Sequence, residues 1–187
     1  MADGKTVEEA IDNTKHIISD WIETAEKLGR DIPSEDFDSF QSTSPTVFDV
    51  AKYVLQQCGK MTTMALEKMV YYCKVWSLAW YQKPLFDDSF QAWAHGPVCK
   101  SLFDVHKGQF VISEDSIESS HNFSIGEISL MDAVIGVYRQ FDAESLSDFT
   151  HFELPWQNAR GGLETDEKGN VIISDQSIIQ YYGKAAK

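Results

Sequence analysis

Basic residues, paired cysteines and long apolar runs are scarce in this sequence, and each scarcity closes a route. Lysine and arginine number 16 against 29 acidic residues, a formal charge of −13. A surface that acidic repels phosphate backbones at long range, which argues against a primary nucleic-acid binder and suits a basic partner. No basic patch with interleaved aromatics offsets it, since Lys68, Lys74 and Lys83 stand isolated from other basic residues. Three cysteines, Cys58, Cys73 and Cys99, form no C-x-x-C pair. An odd set of this kind points to a reducing cytosol rather than a disulfide framework. No apolar run approaches the roughly 18–20 residues of a membrane span, and the opening MADGKTVEEA lacks a signal-peptide pattern. The expectation is a soluble, cytoplasmic protein.

Motifs of catalysis are equally thin. Neither G-x-x-x-x-G-K-[ST] nor G-x-G-x-x-G occurs, and the five histidines fall in no H-x-x-x-H or H-E-x-x-H pattern. Cys99 and His106, seven apart, could share a helix face as metal ligands, and Cys99 lies near His95 as a thiol beside a base. A small thiol after Gly-Pro-Val also packs well as a simple apolar group. The expectation is no metal, no cofactor and no enzyme.

What is present is a core: 43% of residues are hydrophobic and 12% aromatic. Residues 1–46 read as an acidic extension with eleven acids and four bases, and residues 47–187 as the domain. Within the extension the pattern predicts an amphipathic helix over 6–28, followed by a linker through Pro33 and Pro45. Its stripe includes Ile11, Ile18, Trp21 and Leu28, spaced to dock on this domain or on another chain.

Helices are expected from Val47 to Gly59 behind Thr46, and from Thr62 or Thr63 to Lys83-Pro84. Further helices are expected from Pro97 to His106, Glu127 to Phe141, Ala143 to Phe149, around Pro155-Trp156, and from Ser174 to Tyr182. Short strands are expected at 88–93, 110–112 and 171–173. The fold class is therefore mainly α: a helical domain with a small sheet or hairpin. The second helix carries Tyr71, Tyr72, Trp76, Trp80 and Tyr81, too many to share one stripe, so some aromatic surface should face a neighbour.

Two stretches carry a resemblance. The first contains Thr62, Leu66, Lys68, Met69 and Tyr71, then W-S-L-A-W-Y-Q-K-P-L-F from Trp76 to Phe86, then A-W-A-H-G-P-V from Ala92 to Val98. The second is L-S-D-F-T-H-F-E-L-P-W-Q-N-A-R, from Leu146 to Arg160. Together they resemble the Panacea domain, the SocA-type antitoxin domain also described as a phage-associated GepA-like family, across about residues 47–182. Met69 stands where that family has Leu, and Cys99 where Pro or a small residue is common.

The resemblance implies a mainly helical antitoxin that neutralises a protein toxin, usually encoded by a neighbouring gene, through direct contact and without catalytic chemistry. Alternatives are an adaptor delivering a toxin to a protease, and an acidic phage-encoded inhibitor of a host nucleic-acid-binding protein. The expected partner surface comprises Ile11, Ile18, Trp21 and Leu28 with Tyr72, Trp80 and Tyr81. The expected structural residues are Trp76, Pro84, Trp93, Gly96 and Pro97, with Thr150, His151, Pro155 and Trp156 as a second knot.

Overall fold

A computed structural model describes residues 44–164 and 166–183. The expected helix at 6–28, with Ile11, Ile18, Trp21 and Leu28, lies outside the described residues. Helix α1 (Val47–Cys58) begins at Thr46, whose hydroxyl accepts from Asp49 N–H while the Asp49 carboxylate accepts from the Thr46 backbone. This reciprocal cap satisfies two donors that a helix start otherwise strands. Strand β1 (Met61–Thr62) leads into helix α2 (Thr63–Tyr81), capped by Thr62. The chain leaves α2 through Gln82 in the left-handed region and turns at the exposed Lys83-Pro84. The Ser77 hydroxyl holds that turn by donating to Lys83 O at 2.8 Å.

Strands β2 (Phe90–Trp93) and β3 (Gly96–Cys99) form a tight hairpin. Helix α3 (Lys100–His106) follows, then strand β4 (Val111–Ile112), which pairs with β1. After a 3-10 turn at Glu114–Ser116 come α4 (Ile125–Tyr138), α5 (Ala143–Phe152) and α6 (Leu154–Arg160). Helix α7 (Asp175–Tyr182) closes the described chain. The domain is mainly α with two small antiparallel pairs, as expected. No helix among the described residues is long and apolar enough to cross a membrane.

Helix α2 is the axis of the domain. Every residue from Leu66 to Ala79 is buried, enclosed by α1, α4, α5, α7 and β3. A helix buried all round sits in the middle of a core, and this corrects the expectation of an exposed aromatic face. Tyr72 is fully buried, stacked on Tyr138 at 4.0 Å and donating to Glu153 Oε1 at 2.8 Å, so it offers no surface to a partner. Trp76 donates to the Tyr138 hydroxyl at 3.1 Å and meets Tyr182 edge-on. Trp80 and Tyr81, at the end of the helix, are half-buried and packed against the core.

A second correction concerns Gly96-Pro97. The turn is Ala94-His95, Pro97 lies inside β3, and the helix starts only at Lys100. Pro97 sits opposite Ala92, at a position whose backbone faces away from β2, so its missing N–H costs the ladder nothing.

Candidate functional site: a cleft beside the hairpin

Two charged residues in the first turns of α2, Glu67 and Lys68, are almost completely buried beneath the hairpin. Lys68 Nζ donates to Pro97 O at 3.0 Å. Glu67 Oε2 accepts from Cys99 N–H at 2.8 Å, and Glu67 Oε1 lies 2.9 Å from His106 Nε2. Pro97 and Cys99 are the residues of β3 whose backbone faces away from β2, so these side chains stand in for a neighbouring strand. Burial pushes the Lys68 amine down to about 8, because a desolvated ammonium is costly; the Glu67 carboxylate pulls the other way.

The two family-like stretches meet here. Trp156 Nε1 donates to Trp93 O at 3.0 Å, Arg160 Nη1 to Ala92 O at 3.4 Å, and the Ser147 hydroxyl to His95 O at 3.0 Å. The Thr150 hydroxyl donates to Ser147 O at 2.7 Å. His151 lies over Trp156 at 4.4 Å between ring centres, and the Arg160 guanidinium covers that indole at 5.2 Å. Burial pushes the His151 imidazole down, opposed by a hydrogen bond to the Ala94 backbone. Pro155 is buried in the first turn of α6. Gly96, at φ 94°, has no room for a side chain: a Cβ there would sit 2.6 Å from both Lys68 Cε and Thr150 Oγ1.

Beside the hairpin opens a cleft of about 890 Å³. Glu67, Lys68 and His106 line its floor, Trp93 and Phe103 form an aromatic wall with ring centres 4.8 Å apart, and Asp166, Lys168, Gly169 and Asn170 complete the lining. His95 sits exposed in the turn at its rim. Among the residues expected as functional, the structure gathers Trp93, Gly96, Pro97, Thr150, His151, Pro155 and Trp156 around the hairpin. Trp76 lies deeper in the core and Pro84 in the turn after α2.

Cys99 and His106 do converge, but on the Glu67 carboxylate: Cys99 through its backbone and His106 through its ring. Among the described residues no group of three or more His, Cys, Asp or Glu is arranged to hold a metal. Cys99 and His95 stand at opposite ends of the hairpin register. Burial pushes the Cys99 thiol up, the reverse of an activated nucleophile, although contacts with Ser101 and the Leu102 backbone pull it down.

Sequence reasoning missed Glu67 and His106 in the cleft floor and Phe103 in its wall. The signal for the floor was available: Glu67-Lys68 interrupts an apolar run between Leu66 and Met69, where an all-apolar core helix has no use for charge. The contribution of 166–170 carried no comparable signal.

Residues 66–157 match the family model described as antitoxin SocA-like, Panacea domain. Neither the curated proteins nor the solved structures yield a match. The matched stretch runs from α2 to the first turns of α6 and contains the hairpin with most of what packs on it. The chain carries a Panacea domain of the SocA-like antitoxin type.

Proposed function

We propose that this protein is the antitoxin of a toxin–antitoxin pair and neutralises its toxin by direct protein contact. The observation that carries the reading is the convergence of both Panacea stretches on one rigid hairpin that walls an open cleft. A partner side chain entering that cleft meets aromatic surface at Trp93 and Phe103 and buried charge at Glu67 and Lys68, the composition of an interface hot spot. The net charge of −13 favours a basic partner and speeds its encounter.

Co-expression tests it. The protein encoded beside this gene should arrest growth alone and be harmless with this chain, and the two should co-purify in fixed stoichiometry. Trp93→Ala or Phe103→Ala should weaken the complex at least tenfold. Ile18→Ala with Trp21→Ala tests the N-terminal stripe instead. Growth arrest that persists with the wild-type chain present, or an arrest-free neighbour, contradicts the proposal.

A further inference from the structure

The small sheet has a third, short strand. Ala92 N–H donates to Val171 O at 2.9 Å, Ile173 N–H donates to Phe90 O at 2.8 Å, and Ile172 lies opposite Gln91. The order across the sheet is thus β3, β2, then Val171–Ile173. Along an antiparallel strand each residue sends its N–H and C=O to one side, and the side alternates. The Val171 C=O and the Ile173 N–H go to β2, so Ile172, between them, turns its own N–H and C=O outward. Among the described residues nothing pairs with them.

The side chains reinforce the point. Val171 is 52% exposed and Ile172 56% exposed, while Ile173 is buried in the core. Natural sheets blunt such edges with charge, proline or a covering element, because an open apolar edge recruits other chains. The opposite edge of this same sheet is blunted in that way, by Pro97, Lys68 and Glu67. The open edge runs back to Asn170, which lines the cleft.

Charge decides what fits there. Between Gly161 and Ser177 the chain holds Glu164, Asp166, Glu167 and Asp175 against Lys168, and of these acids Asp175 is paired with Lys74 at 3.4 Å. A second copy pairing edge to edge would set these acids against one another. The extension at 1–46, with eleven acids and four bases, is mismatched for the same reason. We infer that the Val171–Ile173 edge accepts an extended segment of a protein partner in which β-branched residues alternate with Lys or Arg, added as a fourth strand. This rests on the antitoxin reading, with the toxin as the source of that segment, and it names the site and the mode: backbone pairing supplies affinity, and the alternation supplies selectivity.

Two blocked hexapeptides provide the test, one alternating Val with Lys and Arg, the other Val with Glu, titrated to millimolar concentration into the full-length, ¹⁵N-labelled chain. The basic peptide should shift the Ile172 amide and slow its hydrogen exchange at least tenfold, and the acidic peptide should do neither. Ile172→Lys, at an exposed position, should weaken the basic peptide at least tenfold without moving the melting temperature. Ile172→Glu, which adds an acid to the edge, should bind the basic peptide at least as tightly as the wild-type chain does, and it covers the case in which the lysine variant fails to fold. An Ile172 amide unmoved by the basic peptide, equal binding of the acidic peptide, or protection of Ile172 already present in the free chain overturns the inference. If the chain neutralises its toxin but fails this test, the edge is wrong and the antitoxin reading stands. If it passes and neutralises nothing, the toxin is wrong as the occupant.

Discussion

The two edges of the three-stranded sheet differ in how they meet their unpaired backbone. At β3 the outward groups of Pro97 and Cys99 are taken by the buried side chains of Lys68 and Glu67. At Val171–Ile173 the outward groups of Ile172 face solvent beside two apolar side chains. Burying two charges is expensive, and breaking such a pair costs more than it contributes. A fold that seals one edge with charge while leaving the other apolar and open separates a structural edge from a binding edge.

Four perturbations would break or sharpen that contrast. Glu67→Ala strands Cys99 N–H and the His106 ring and leaves Lys68 without its counter-charge. It should cost about 3–5 kcal/mol in denaturant unfolding, whereas Glu67→Gln should cost less because an oxygen still accepts from Cys99. Gly96→Ala forces a side chain into a left-handed backbone position against Lys68 and Thr150, and should cost about 2–3 kcal/mol.

Lys68 links the sealed edge to pH. Its amine titrates near 8 in the fold against 10.5 in the unfolded chain, so between those values the unfolded chain binds more protons. Lys68 should therefore add stability as pH rises from about 8, by up to about 1.4 kcal/mol per unit, until the thiols of Cys58, Cys73 and Cys99, pushed up by burial from 9.0, oppose it near pH 9 and the buried tyrosines near pH 10. Lys68→Met should lower the slope of stability against pH between 8 and 9; an unchanged slope contradicts the assignment. On the open edge, Ile172→Lys should change stability by less than about 0.5 kcal/mol, as for an ordinary surface substitution, while weakening toxin binding at least tenfold.

Much of this fold is legible in local residue chemistry. Thr46, Thr62, Ser124 and Ser174 each cap the helix that follows, three residues or fewer from where the periodicity begins. Gly59 ends α1 at φ 77° and ψ −166°, a backbone conformation essentially confined to glycine. The strands at 90–93 and 111–112 follow from alternation and from the turns that bound them.

What escaped is non-local. Whether Tyr72 faces a partner or a core depends on α4 and the junction of α5 and α6, which supply Tyr138 and Glu153 from more than 60 residues away. Pro97 has the same preference for the first turn of a helix as for a strand position whose N–H is unused, and only the pairing with Ala92 decides between them. The cleft was the hardest part to foresee, because its walls come from α2, the hairpin, α3 and the 166–170 segment, and no single stretch of sequence announces it. The charges in its floor did announce themselves, as a Glu-Lys pair inside an apolar helix.

The most direct measurement is amide hydrogen exchange on the full-length chain, alone and bound to the protein encoded beside it. The account predicts new protection at Ile172 and its neighbours and at the cleft rim around Trp93, with little change at Cys99, whose outward N–H is already bonded to Glu67. Protection confined to other surfaces, with Ile172 exchanging as fast in the complex as in the free chain, would contradict it.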